Sequence, residues 1–419
     1  MSCSEWKEYR LEELCSIIDS LHKSPQYVEW GYPMVRVKDM EEGFLKLNQT
    51  AYVTKEVYEE FTRKHKPQKG DMLFSRVGSY GITTFVDLEE EFCLGQNTVV
   101  LTSYNNKIIN NKFLFYMMIS NIVKEQIELL VTGSTQKTIS MKSIKSIVIP
   151  VPSLEEQEKI ADILSSLDNK IELNNEMNKA LEEMAQSIFK RWFVNFEFPN
   201  EYGQPYKSSG GDMVESELGM IPKGWEVKTI ADVGEVISGG TPSTKNEDYY
   251  GGNISWITPK DLSGYDRKFI SKGERSITEL GLQKSSAKLL PKGTVLFSSR
   301  APIGYVAIAE QEVCTNQGFK SIVCNNEIIN NNYIYYFLKL NKENIENISS
   351  GSTFKEISGI HMKNINIIVP NKKILDKFNQ LIISYDNLFS KNYEEIDSLI
   401  EIRDSLLPKL MSGNIKLNI

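Results

Sequence analysis

The chain has 419 residues, of which 41% are hydrophobic, 10% aromatic and 25% charged, with a formal net charge of −7. That length favours two or three compact units, and the composition is that of an ordinary globular protein. No apolar run approaches the roughly 20 residues needed to cross a bilayer, and the polar start MSCSEWKEYRLEEL is no signal peptide.

From Trp6 onward, short β-branched runs bounded by turn residues predict strands at TTFV, NTVVLTS and SIVIPV, and Phe113–Leu130 predicts a helix. Pro152 and the capping pair Ser153/Glu156 then announce a long helix. Its seam positions Ile160, Leu164, Leu167, Ile171, Asn174, Asn178, Leu181, Ala185 and Ile188 alternate four and three apart, the spacing of a coiled coil. Residues 199–222, rich in Gly, Ser and Pro at their start, predict an exposed linker.

The second half repeats the first. RVKDM (Arg36–Met40) answers TPKDL (Thr258–Leu262), and KGDMLFSR (Lys69–Arg76) answers KGTVLFSSR (Lys292–Arg300). Cys93 and Gln96 answer Cys314 and Gln317, NNKIINNKFLFYMM answers NNEIINNNYIYYFL, and GSTQKTIS answers GSTFKEIS. A second seam follows, through Phe378, Ile382, Tyr385, Phe389, Asn392, Ile396, Leu399, Arg403 and Leu406, with Pro408 expected to interrupt it. Ordered blocks of this kind define an internal repeat.

Each seam, about 29 residues or roughly 43 Å of helix, must cover its apolar stripe, and the other copy's helix is the available partner. The expected fold is α+β: two pseudo-two-fold-related mixed units separated by a long antiparallel two-helix coiled coil. The boundaries expected are 1–151, 152–198 for the first helix, 199–222 for the linker, 223–370, and 371–419 for the second helix and tail. Asn174 and Asn392 fall at matching seam positions, where buried asparagines fix register.

Chemistry is conspicuous by omission. There is no phosphate-cradling G-x-x-x-x-G-K-[ST], no strand-linked G-x-G-x-x-G, no N-P-P-[FY] tetrapeptide and no G-x-S-x-G elbow. His22, His65 and His361 are isolated from one another, and Cys3, Cys15, Cys93, Cys314 and Cys324 show no paired spacing, so neither a zinc set nor a disulfide framework is expected. Reduced thiols fit a cytoplasmic protein. Cations cluster at Arg63–Arg76 and Arg267–Arg300 and acids along the first long helix, a distribution that permits nucleic acid without demonstrating it.

Over essentially its whole length the chain resembles the specificity subunits of type I restriction-modification systems. The resemblance is carried by PSLEEQEKIADILSSLDNKIELNNEMNKALEEMAQSIFKRWFVNFEF, by SSGGDMVESELGMIPKGWEV, by RDSLLPKLMSGNI and by two GST loops, each followed by a strand ending in proline. It implies two target-recognition domains reading the halves of a split, asymmetric DNA site, with the paired helices acting as a ruler and docking two modification (methyltransferase) subunits. Those partners would bind S-adenosylmethionine and methylate adenine, while separate restriction (motor-nuclease) subunits would use ATP and magnesium; this chain itself would bind no cofactor or metal and have no catalytic residue.

Because recognition domains are the variable part of such proteins, candidate DNA contacts rest on side-chain chemistry. Arg76 with Ser75 and Ser79, and Arg300 with Ser298 and Ser299, lie beside glycine turns; arginine takes guanine bidentately and serine holds phosphate. Gln96, Asn97 and Gln317 have adenine-reading amides. Thr135, Gln136 and Lys137, with Thr353 and Lys355, sit in the repeated GST loop, and Arg36, Lys38, Lys260 and Lys320 complete the set. Recurrence in both copies favours phosphate positioning or structure over base reading, since the bases read should differ. Trp192 and Phe193, where the first long helix ends, are the candidate partner-binding residues. Two other functions stay open: an assembly scaffold that binds no DNA, and a methyltransferase or nuclease with an unrecognised site.

Overall fold

The computed structural model describes residues 6–103, 107–133, 136–300, 302–349, 355–415 and 417. They form two compact units, Met1–Glu176 with Asn392–Ile419, and Met177–Lys391. The long helices Leu154–Phe193 and Lys372–Met411 each contribute one half to each unit.

The units are built alike. In unit 1 a five-stranded sheet runs in the order Cys15–Asp19, Thr98–Ser103, Met72–Ser75, Thr83–Phe85, Gly43–Phe44. A three-stranded sheet follows the order Ala51–Val53, Tyr32–Val35, Cys93–Leu94, and Lys7–Arg10 pairs with Val148–Val151. Unit 2 repeats each sheet in the same order, with Gly234–Ser238, Lys320–Cys324, Val295–Ser299, Ile303–Ala309 and Phe269–Ile270 in the larger one.

In unit 1 the apolar helix Asn111–Met118 is sandwiched by the core. Asn110 caps it by accepting from the Phe113 N–H (3.0 Å), and Phe113 through Met118 are all buried. Ile160, Ala161 and Leu164 from the first long helix, with Leu410 and Met411 from the second, close the same core. The two helix halves run antiparallel: Arg403 reaches Asp168 (2.9 Å), and Lys170 and Asn174 reach Glu395 (3.2 and 2.8 Å). In unit 2 Phe189 and Phe193 pack on Phe378, with ring centroids 5.8 and 4.9 Å apart. Asn174 and Asn392 are both buried on the seam.

Three local expectations change. The helix expected over Phe113–Leu130 is two, Asn111–Met118 and Asn121–Leu130, because Ser120 turns extended and its Oγ donates to the Met117 carbonyl (2.7 Å). Pro408 lies inside its helix rather than ending it; the turn beyond needs no proline N–H, and Met411 is still helical. The stretch expected as a linker is ordered. Phe198 stacks between Tyr206 and Trp225 (4.5 and 5.0 Å), and Met213–Ser216 forms a hairpin with Gly219–Pro222. Most of the stretch is exposed, as expected, but Tyr206 is held against Phe198 on its flank and Ile221 is buried.

Candidate nucleic-acid interface

In each unit the loops carrying most candidate residues gather at one edge of the two larger sheets. In unit 1 the centre is a serine clamp. Buried Ser75 donates from Oγ to the Ser79 carbonyl (2.6 Å) and accepts from the Ile82 N–H (2.9 Å), closing the glycine turn. The next residue, Arg76, receives the N–H of Ile139 on its carbonyl (3.0 Å) and donates its own N–H to the Asn97 carbonyl (2.9 Å), which ties three loops together. Its guanidinium bonds Asp19 (2.6 Å) and the Ile139 carbonyl (3.3 Å).

Unit 2 has the same clamp with different decoration. Ser298 donates to the Pro302 carbonyl (2.8 Å) and accepts from the Tyr305 N–H (2.7 Å). The residue that bonds Gly318 and Ile357 through its backbone, as Arg76 bonds Asn97 and Ile139, is Ser299. Arg300 instead matches Val77: Val77 bridges Thr138, and Arg300 bridges Glu356. The sequence pairing of Arg76 with Arg300 is therefore corrected; the longer motif of the second copy shifts its arginine by one position onto another face. Ser75→Ala and Ser298→Ala are each expected to cost about 1–3 kcal/mol in denaturant unfolding, because a buried turn N–H loses its acceptor. Ser79→Ala should stay within about 0.5 kcal/mol, since only its carbonyl is used.

The remaining candidates divide by what already holds them. Arg36 is clipped to Asp39 by two side-chain bonds (2.6 and 2.9 Å) and lies over the Tyr27 ring; the bond to Asp39 chiefly raises its pKa. In the second copy Asp261 serves its own turn, accepting from Thr258 N–H and Oγ1 (both 2.7 Å) and from Glu274 N–H (2.6 Å). The recurring Lys-Asp pair is thus structural at the aspartate, while Lys38 is exposed and Lys260 is exposed against Glu274 (2.7 Å).

Gln96 reaches Ser24 (3.5 Å), and Gln317 accepts from Thr241 Oγ1, so both glutamines tether the same pair of loops. Asn97 sits at φ +67°, a conformation asparagine tolerates. In the GST loop Gly133 has φ +104°, and a Cβ there would meet the Gln136 carbonyl oxygen at 2.5 Å. Gln136 is exposed, and Lys137 donates to the Tyr80 hydroxyl (3.3 Å), which raises its pKa. Lys355 is exposed, 3.9 Å from Glu346. Thr135 and Thr353 lie outside the described residues. Glu356 holds two cations at once, Arg300 at 3.5 Å and Lys320 at 3.6 Å, the latter side chain only 9% exposed.

The anchoring roles of Asp19, Asp39 and Glu356 were not legible in sequence, since an acidic residue carries no information on which cation it will meet. Trp30, in a turn-rich segment without periodicity, was also passed over, and it is 84% exposed on the loop next to Tyr27. The basic run Arg267–Arg300 is no single solvated face, because Lys268 is buried. Phe193, 3% exposed among Trp225, Tyr333 and Phe378, is core; Trp192 beside it is half-buried. Among the described residues no group of acidic, histidine and cysteine side chains is arranged to hold a metal ion, and no helix is long and apolar enough to cross a membrane. What the edges offer is a surface of amides, hydroxyls and cations on fixed loops.

A family model described as type I restriction modification DNA specificity domain matches residues 3–183 and again 222–397. The type I restriction enzyme MjaIX specificity subunit of Methanocaldococcus jannaschii is 44% identical over 190 residues, 45% of this chain and 44% of that one. The HindI specificity subunit of Haemophilus influenzae is 27% identical across 98% of this chain and all of its own length. The crystal structure of a type I system S subunit from M. genitalium has the same fold, with a TM-score of 0.60 at 18% identity over 97% of this chain and 96% of that one.

Proposed function

The chain belongs to the type I restriction-modification DNA specificity family, whose members are non-catalytic specificity subunits, and from that premise we propose that it reads a split, asymmetric site on duplex DNA through its two loop edges. The observation that carries this reading is the clamp that recurs in both units while the side chains around it differ. A common frame with different donors suits two half-sites of one kind but unequal sequence. In this reading Lys38, Lys137, Lys260 and Lys355 position phosphates, Gln96 and Gln317 brace the loops, and Arg300 with Lys320 exchanges the Glu356 carboxylate for a phosphate.

The chain would place two adenine-methylating modification subunits, and through them the restriction subunits, with half-buried Trp192 at the docking surface. S-adenosylmethionine, ATP and magnesium would be bound by those partners and not by this chain. The acidic balance of −7 fits a reader whose partners supply many phosphate contacts.

The test is DNA binding by the complex with its modification subunit. Affinity is expected to fall steeply and log-linearly with salt, and to favour the cognate site by at least about 10³-fold over other duplexes. A complex that assembles yet prefers no sequence would establish the scaffold instead. Methylation or cleavage by the purified chain alone, given S-adenosylmethionine or magnesium, would establish an enzyme.

A further inference from the structure

The internal repeat acts as a control within one molecule. Features present in both copies build the loop edges, whereas a side chain that reads bases must be specific to its own copy. Trp30 meets that criterion most sharply. Trp225 and Trp256 are buried and Trp6 and Trp192 half-buried, so Trp30, at 84% exposure, is the one tryptophan with its indole in solvent.

Its counterpart follows from strand register. Met34 lies opposite Cys93 and Tyr32 opposite Val53, as Trp256 lies opposite Cys314 and Ile254 opposite Ile277. The second copy's register shifts between Tyr250 and Ile254, where Gly252 packs on the Ile277 carbonyl as Gly31 packs on that of Val53, so Gly251 stands in the place of Trp30. Gly251, at φ +79°, carries no side chain, so the exposed indole belongs to the first copy alone.

The backbone carrying Trp30 is also fixed. Val28 bridges Tyr52 just before it, and Gly31 follows at φ +155°, where a Cβ would strike the Val53 carbonyl oxygen at 2.3 Å. The loop is held to the rest of the edge by Arg36 over Tyr27 (5.4 Å) and by Gln96 at Ser24. A large indole thus stands in solvent on a braced loop whose Ser24 and Tyr27 touch the candidate residues Gln96 and Arg36.

We propose that Trp30 is the copy-specific base-contacting residue of unit 1, its indole packing on the bases of a base-pair step in one half-site. An indole offers a flat π-face for a base and an apolar edge for a thymine methyl or an opened step, whereas phosphate would select a cation. The inference rests on the proposed DNA-reading role and adds which residue reads in which unit.

The test is a methylome. The chain is expressed with its modification subunit in a host lacking other adenine methylation, as wild type, Trp30→Ala and Trp30→Phe, and the methylated motif is read from genomic DNA. Trp30→Ala is expected to lose base preference at one or more positions of one half-site, by tenfold or more in the ratio of methylated sites, with the other half intact. Trp30→Phe should keep part of that preference. An unchanged motif overturns the proposal, as does an equal loss in both halves. Failure of Trp30→Ala to co-purify with the modification subunit would make the indole a protein contact and overturn it as well. If the wild type itself yields no split motif, the DNA-reading role fails first and Trp30 falls with it; a split wild-type motif with an indifferent Trp30 fails this proposal alone.

Discussion

Asp386→Ala is expected to destabilise unit 2 by about 3–5 kcal/mol, because it leaves a buried ammonium without its counter-ion. Lys268 is 2% exposed, bonds Asp386 at 2.5 Å and lies 5.2 and 4.9 Å from the rings of Tyr335 and Tyr336. Burial lowers the Lys268 pKa and raises that of Asp386, so in both groups desolvation outweighs the partner's attraction. The signs follow. A raised carboxyl contributes stability below its unfolded pKa and loses it as pH rises; a lowered ammonium contributes above its unfolded pKa and loses it as pH falls. Each contribution therefore falls toward the pH range in which both groups are charged, and there desolvation opposes the ion pair.

That sign gives the control. Lys268→Met combined with Asp386→Leu should be neutral or more stable than wild type, by up to about 4 kcal/mol, although each single change is destabilising. Guanidinium unfolding of the four variants of this cycle decides it. Single changes that cost under about 1 kcal/mol would mean that water reaches the pair.

Inserting one heptad into both long helices, after Glu176 and after Lys391, is expected to abolish methylation at the native site. It should create activity on a site with the same two half-sites and a longer gap. Seven residues add about 10.5 Å of helix, close to three base pairs at 3.4 Å each. A heptad rotates the helix face by only about 20°, so the seam through Asn174 and Asn392 keeps its phase. Inserting in one helix alone would slide apolar residues past the partner and is expected to cost stability. Methylated adenines mapped across the genome check the result: a changed half-site with unchanged spacing defeats the idea that the helices set the gap.

Recurrence and periodicity are properties of order along the chain, and they were legible without coordinates. The repeat, both seams and the strands at Thr83–Phe85, Thr98–Ser103 and Val148–Val151 followed from them, while the family followed from its resemblance to known sequences. The misreadings share a cause. Composition marked 199–222 as a linker, yet Phe198, Tyr206 and Trp225 meet only through folding. Likewise the cations of Arg267–Arg300 looked alike until burial separated Lys268 from the rest.

The candidate site was legible as a set of loops but not as a set of roles. Chain order alone determined which segments would recur, because an apolar stripe or a turn motif needs no neighbour to be recognised. Tertiary structure alone decided that Arg76 matches Ser299 rather than Arg300, that Asp19, Asp39 and Glu356 already hold the arginines, and that Trp30 stands free. The physical reason is range: hydrogen bonds and ion pairs act over about 3 Å, and residues far apart in the chain come that close only once strand register has brought their loops together.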